Sequence, residues 1–309
     1  MSAKLSHYFP LGNVPEKMIP RIAREFADHG FTRMVFDLNL IDRGLDEPAL
    51  LDLMRKCTKD VGMQFVSMHG ICGGNSDLCA PIIPARAALA KRHIRAMEVA
   101  REFGSLTYTV HVGAYTHCSL HYPVEKCREM ALEMLEELVP AAEKIGIVIA
   151  VENSFEPSNS AKEVRAIVDH FGDNPAIGVC FDTGHANCMS SAPWKKPEGY
   201  PDYQYTSWWE KGIITEDGAL DLLYDKIVTC HIHDNDGYRD LHCMPMDGTL
   251  PWDEWLPKLK SAPRMLEFQS EVNMTGGTNW AGVSPAPGGG YSIKRLVETF
   301  RRKEFFPED

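Results

Sequence analysis

The sequence predicts a single α/β domain, a (β/α)8 TIM barrel spanning residues 1–309. Three observations predict it. Six short apolar runs, QFVSMH, TYTVH, IVIAVE, IGVCFD, KIVTCH and MLEFQSE, close on His69, His111, Glu152, Asp182, His231 and Glu271. Intervals of roughly thirty to fifty residues separate these endings, the length of one βα unit or a little more. The segments between them carry helical spacing, and no Pro, Ser or Gly linker divides the alternation. A length of 309 residues suits such a barrel, which takes about 250 residues plus insertions. Side chains at the C-terminal ends of successive parallel strands meet on one face, where these barrels build their active sites.

LSHYF is the first strand, and VPEKMIPRIAREFADHG, apolar at helical spacing, is its helix. TRMVFDLN is the second strand. Its helix is expected to start at Asp46 as N-cap, with Pro48 in the first turn. The third strand, QFVSMHG, leads into a polar loop from Ile71 to about Pro84, then into the amphipathic ARAALAKRHIRAMEVAREFG, closed by Gly104. The fourth is LTYTVHVG. Its helix, PVEKCREMALEMLEELVPAAEKIG, carries Pro140, which predicts a kink or break.

The fifth strand, GIVIAVEN, precedes a capping box of Ser160 and Glu163 ahead of VRAIVDHFG. The sixth is AIGVCFD. Residues 186–217 then read as a loop insertion holding Trp194, Tyr200, Tyr203, Tyr205, Trp208 and Trp209. DKIVTCHIHD is the seventh strand, followed by a polar loop and a short helix from Trp252. RMLEFQSEV is the eighth, followed by a Gly-rich loop (273–291) and the terminal helix YSIKRLVETFRRKEF.

Composition narrows the function. A net charge of −11 repels polyanions, which makes extended nucleic-acid binding a poor expectation. Nine cysteines are scattered without a CxxC pair, as expected of packing residues in a reducing compartment. MSAKLSHYFP has no apolar stretch suited to a signal peptide, and no run approaches transmembrane length. The expectation is a cytoplasmic enzyme, with no membrane partner, acting on a small molecule.

Glu152 and Asp182 each end an apolar strand, and a carboxylate there is costly to bury unless it is paired or on a metal. Oxygen and nitrogen donors without a thiolate suit a hard or borderline divalent ion. His231 and His233 flank Ile232 and so share a strand face. His231 is taken as the ligand and His233 as support. Glu267, Gln269 and Glu271 also share a face, and Glu271 lies nearest the rim, with Glu267 as the alternative ligand. His185, three residues past Asp182, suits a substrate-binding or second-ion role. His69 and His111 gain weight from recurring at equivalent strand ends. Asp240 and His242 sit in a loop, where a solvated pair is the bland alternative.

VEN, FDTGHAN and HIHDNDGYRDLHCMPMDGTLPWDEWL resemble the xylose isomerase-like barrel superfamily, which includes epimerases related to tagatose 3-epimerase, inosose dehydratases and endonuclease IV. The resemblance is strongest over about residues 146–272. In the epimerase branch it implies one divalent ion, often manganese, with zinc, cobalt or magnesium as alternatives, held here by Glu152, Asp182, His231 and Glu271. The spacing from Gly248 and Trp252 to the final acid also favours Glu271 over Glu267. In the endonuclease IV branch it implies up to three zinc ions on His69, His111, Glu152, Asp182, His185, His231, Asp240, His242 and Glu271. The neighbours differ from that branch: TGHAN follows Asp182 in place of TCHAF, and NSFEP follows Glu152 in place of NTAGQG. The epimerase branch often grips substrate with a loop Arg, for which Arg239 is the nearby candidate.

The function expected is isomerisation or epimerisation of a sugar or sugar-derived keto compound, through a metal-stabilised enediolate. Glu152 and Glu271 would carry the proton and His185 would steady a substrate oxygen. A dehydratase or lyase would use the same abstraction, and a multi-zinc phosphodiesterase acting on abasic DNA is the reading from another class. The aromatic stretch is expected to form a lid, with Trp208 and Trp209 on the substrate. Its alternative is a subunit interface in a homo-oligomer.

Overall fold

A computed structural model of the protein describes residues 3–73, 75–81, 83–113, 122–191, 216–274 and 290–307. Eight strands pair in parallel, each with the next, and the last closes on the first. They are β1 (Lys4–His7), β2 (Arg33–Phe36), β3 (Gln64–His69), β4 (Thr107–Val110), β5 (Val148–Glu152), β6 (Ile177–Asp182), β7 (Ile227–Ile232) and β8 (Glu267–Ser270). Every residue of β4, β6, β7 and β8 is buried. Parallel strands covered on both faces require this, and it explains why their sequence runs apolar rather than alternating.

The inward face of the barrel is polar, however. Glu267 accepts hydrogen bonds from Ser6 (3.2 Å), Thr107 (2.9 Å), Thr229 and Gln269 (3.1 Å). This layer supports the C-terminal mouth above it. Register carries the site upward from there: Asp182 pairs with His231, and His231 with Gln269, so Glu271 stands two residues beyond that layer.

The helices bury one face each on the strands. The first unit opens with a 3-10 turn at Glu16–Met18 before α1 (Ile19–Asp28), which buries Ile19, Ile22, Ala23 and Phe26. The second unit departs from expectation. Asp46 is no N-cap; it ends α2 (Leu38–Asp46), a helix hidden in DLNLIDRGLD, and α3 (Pro48–Val61) begins afresh behind Glu47. The cap belongs to Asp37, whose fully buried carboxylate accepts from Leu40 N (3.1 Å) and Gly12 N (3.0 Å). Replacing Asp37 by Ala orphans both donors inside the core and is expected to cost about 1–3 kcal/mol. Urea unfolding with an unchanged m-value checks this.

α4 (Ile83–Phe103) follows β3, and α5 (Val124–Ile145) follows β4. α5 runs unbroken through Pro140, against the expected break. One lost backbone bond is outweighed by the buried stripe of Met134, Leu135, Leu138, Val139 and Ala142 around it. Ser160 caps α6 (Ala161–His170) as expected, by accepting from Glu163 N (3.4 Å). The Glu163 carboxylate is taken by Arg128 instead of closing the box (2.8 Å).

The stretch read as loop from residue 186 begins as the end of α7 (Thr183–Cys188), a short helix that Asp182 caps through His185 N. Residues 192–215 and 275–289 lie outside the described residues. With them lie the six aromatic residues, Trp208 and Trp209 included, and most of the Gly-rich loop. α8 (Ala219–Leu223), α9 (Trp252–Lys260) and α10 (Ile293–Phe300) complete the ring. The eight described cysteines are free, and all but Cys72 are buried. Among the described residues no helix is long and apolar enough to cross a membrane.

Candidate active site

The mouth of the barrel gathers the strand-end residues around one atom. His231 Nδ1 lies 3.2 Å from Glu152 Oε1, 3.5 Å from Asp182 Oδ2 and 3.4 Å from Glu271 Oε2. It makes no hydrogen bond with any of them. Two donors about 2.1 Å from one ion, at right or tetrahedral angles, stand about 3.0–3.4 Å apart. The three carboxylate oxygens thus stand near coordination-sphere spacing from His231 Nδ1, without the alignment of hydrogen bonds. His231 and Asp182 are wholly buried and Glu152 is 1% exposed. This donor set fits a divalent ion.

The electrostatics agree. Burial alone would raise the Glu152 pKa, but His231 and His111 hold it well below the usual carboxylate range. Burial would lower that of His231, yet Cys180, Glu152 and Glu271 push it well above the usual histidine range. Three carboxylates around one buried imidazole make this a place that stabilises positive charge.

Two further groups flank this centre. Glu152 turns its other oxygen, Oε2, toward His111 Nε2 (3.0 Å) and His69 Nε2 (3.8 Å), and the two imidazole nitrogens are 3.3 Å apart. On the other side, His185 Nε2 is 3.5 Å from Asp240 Oδ2, which is 3.1 Å from His242 Nε2. All nine residues singled out for ligation thus come together in three adjoining sets.

The third set depends on the loop after β7. Asp234 accepts from Met246 N (2.9 Å), Leu250 N (3.1 Å) and Trp252 Nε1 (2.7 Å), which folds that loop back on itself. A Cβ on Gly248 would fall 2.2 Å from Asn235 O and Asp234 Oδ1, so only glycine allows this closure. His242 takes φ 48, a left-handed conformation, and its Nδ1 donates to Glu271 O (2.8 Å). His233 supports the arrangement, stacking on His242 (3.8 Å, 8°) and hydrogen-bonding Asp182 (3.0 Å).

The two candidate acids on and just past β8 have different surroundings. Glu267 sits deep in the barrel on its four donors, whereas Glu271 opens into a cavity of about 340 Å3. Arg239 is not among the residues lining that cavity; its guanidinium is engaged by Asp236 (2.6 Å). The lining adds Tyr8, Ser154, Phe155 and Glu156, which sequence reading did not single out. Burial pushes the Glu156 carboxyl up to about 7, and Asn159 Nδ2 donates to it (3.0 Å). Its signal was present in NSFEP, an acid and an aromatic just past a strand-end carboxylate, but a polar loop looks the same. Phe155 meets the His185 ring edge to face at 4.7 Å.

Comparison with known proteins places this geometry in context. A protein-family model described as xylose isomerase-like TIM barrel matches residues 23–277. The uncharacterised protein MJ1311 of Methanocaldococcus jannaschii is 29% identical over 173 residues, covering 53% of this chain and 50% of that protein. The chain spans half or less of the length of the curated relatives it matches. Among solved structures, the D-psicose 3-epimerase of Clostridium cellulolyticum H10, solved with D-tagatose, aligns with a TM-score of 0.67 at 16% identity. That alignment covers 96% of this chain and 95% of the epimerase. The family 2 AP endonuclease of Brucella melitensis aligns with a TM-score of 0.56 at 15% identity, covering 87% and 92%. At these identities the likeness concerns the fold. The family match, spanning most of the barrel, goes further: this chain belongs to the xylose isomerase-like TIM barrel family.

Proposed function

We propose that the protein is a divalent-metal-dependent isomerase or epimerase acting on a sugar or sugar-derived keto compound. One observation carries the reading. Glu152 and Glu271 both line a cavity of about 340 Å3 and both stand beside the buried His231 Nδ1, a volume suited to a small polar molecule. Family membership and the fold likeness to a ketose epimerase support it.

Glu152, Asp182, His231 and Glu271 would hold the ion, manganese being the first choice among divalent metals. A bound divalent ion supplies Lewis-acid polarisation of a carbonyl and its neighbouring hydroxyl, which acidifies the C–H between them. The chain's own groups do the rest. β5 and β8 stand three strands apart around the ring, so Glu152 and Glu271 approach a bound carbon from different sides. One, entering as a carboxylate, would take the proton from carbon, and the other, entering as the acid, would give its own proton to the opposite face, so the two exchange protonation states in each turnover. His185 donates from Nδ1 to Asn153 O (2.9 Å) and faces Asp240 Oδ2 with Nε2 (3.5 Å), the atom that would turn to steady a substrate oxygen. Phe155, on the cavity wall, would pack against sugar C–H groups. No Lys or Arg is among the described lining residues, which favours a substrate without phosphate.

A panel of free and phosphorylated ketoses, each with the manganese, zinc or cobalt form, tests this by chromatography of the products. Conversion of a free ketose is expected. Loss of water or another leaving group would move the assignment to a dehydratase or lyase on the same proton abstraction.

The second reading, a multi-zinc phosphodiesterase acting on abasic DNA, is favoured by the grouping of all nine ligand-type residues into three sets. A net charge of −11 opposes it. An abasic-site duplex is expected to bind weakly and stay intact. Multiple-turnover cleavage with zinc present would reverse the ranking.

A further inference from the structure

The stretches FDTGHAN and HIHDN contain Thr183, Gly184, Asn187 and Asn235, none of which the proposed chemistry uses. All four are buried and meet along one seam. α7 carries His185 but is only 6 residues long, shorter than an isolated helix needs to hold itself. At its first turn, Thr183 Oγ1 lies 3.0 Å from His231 O and 2.8 Å from His233 O, one of which accepts its proton. The same oxygen accepts from His233 N (3.3 Å). A Cβ on Gly184 would fall 2.0 Å from the His233 ring, so glycine lets the helix lie this close to the end of β7. At its last turn, Asn187 Nδ2 donates to Asn235 Oδ1 (2.7 Å) and Thr249 Oγ1 (3.0 Å). Asn235 Nδ2 donates back to Gly184 O (2.8 Å) and to Cys188 Sγ (3.3 Å). Asn235 also accepts from Gly237 N on Oδ1 (2.9 Å) and from Thr249 N on its backbone O (2.8 Å), on either side of Asp240 and His242 in the chain.

We propose that Thr183, Asn187 and Asn235 are positioning residues: they bolt α7 to the loop after β7, so that His185 is carried in one body with Asp240 and His242. This rests on His185 steadying a substrate oxygen, and gives that residue its support. The Asn235 amide makes two bonds through its oxygen and two through its nitrogen. It is fully satisfied only while helix and loop stay in register, and a half-satisfied buried amide is costly. Glu152, Asp182 and His231 are held by the ladders of β5, β6 and β7 themselves, so loosening the seam should disturb His185 more than the ion.

Native-state amide exchange read by mass spectrometry needs no variant. Across a urea series, residues 184–189 and 235–249 should share one opening free energy, as one cooperative unit does. Thr183→Val keeps the side chain's shape and removes the hydroxyl. It should speed exchange in both segments by at least about tenfold, and Thr183→Ser, which keeps the hydroxyl, should stay within about threefold of wild type. On a ketose that the manganese form converts, Thr183→Val should lower kcat/KM by at least about tenfold at unchanged metal content, but by less than about threefold where His185 is already Ala. Separate openings for the two segments, faster exchange confined to α7, Thr183→Ser as impaired as Thr183→Val, or equal losses of kcat/KM with and without His185 would each overturn the clamp. Absence of turnover on every ketose would count against the isomerase reading alone, because the exchange measurements decide the clamp without a substrate.

Discussion

Glu271→Gln is expected to lower kcat by about 10²–10⁴-fold, the usual contribution of a positioned acid or base, with KM changed far less. Glu271 stands beyond the end of β8, where its backbone N donates to Ile232 O (3.2 Å), and its carboxylate faces both His231 Nδ1 and the cavity. Gln keeps the shape and one oxygen but carries no proton. Metal content must be measured in parallel, because Glu271 is also a proposed ligand. Turnover within threefold of wild type at equal metal content would remove Glu271 from the proton transfer. The companion change Glu267→Gln should leave kcat within a few-fold of wild type. Its carboxylate is enclosed by Ser6, Thr107, Thr229 and Gln269, away from any substrate.

His231→Ala is expected to lower divalent-ion affinity by at least about 10²-fold, more than loss of an outer partner of a ligand would. It should take turnover to background. The residue is wholly buried, and its Nδ1 is the one atom near all three carboxylates. Removing it without a metal takes the shared imidazole from Glu152, Asp182 and Glu271, while His111 stays beside Glu152 and His233 beside Asp182, so the cost should fall below the roughly 3–5 kcal/mol of a fully uncompensated buried charge.

The pH dependence of the metal-free proteins separates this from a packing defect. In the wild type, the Glu152 and Asp182 pKa values are depressed. The stability they contribute is present above the ordinary carboxylate range and is lost as pH falls below about 4. The His231 pKa is raised, so its contribution is complete below the ordinary histidine value and is lost as pH climbs past about 6.5 toward the raised value. In His231→Ala that titrating contribution is gone, so the penalty of the substitution should shrink as pH climbs past about 6.5. A constant penalty across that range would mark a cavity effect instead.

Much of this was legible because strand ends advertise themselves. Glu152, Asp182 and His231 interrupt runs that are otherwise apolar, and a charge in that position has few explanations. Glu271 was preferred to Glu267 by period and nearness to the rim, and the register of His231 with Gln269 puts it two residues past that layer. Helix starts were harder. Asp37 reads as the end of a strand, yet it caps α2, while Asp46, with Pro48 behind it, had the better local pattern. Local pattern lost because the cap is decided by a tertiary partner, Gly12 N, 25 residues away. Pro140 misled for a related reason: a break foreseen from one missing N–H was overridden by packing along the whole helix.

Residues of the cavity wall such as Tyr8, Phe155 and Glu156 lie in loops or just past strand ends, without a period to mark them. Arg239 had the right chemistry and neighbourhood, but Asp236, three residues before it, holds its guanidinium. The expected lid, Trp208 and Trp209 included, falls in 192–215, outside the described residues.

Solvent-deuterium incorporation is the most direct test of the central claim. Metal-loaded protein is incubated in D2O with a panel of free ketoses, and NMR follows the C–H bond next to the carbonyl. A proton carried on Glu152 or Glu271 exchanges with solvent before it is given to carbon, so deuterium should enter that position in at least one ketose. The label should vanish on chelation of the metal and in Glu271→Gln. If fully metal-loaded protein leaves every ketose unlabelled yet cleaves an abasic-site duplex with multiple turnovers, the isomerase account is wrong and the phosphodiesterase reading takes its place.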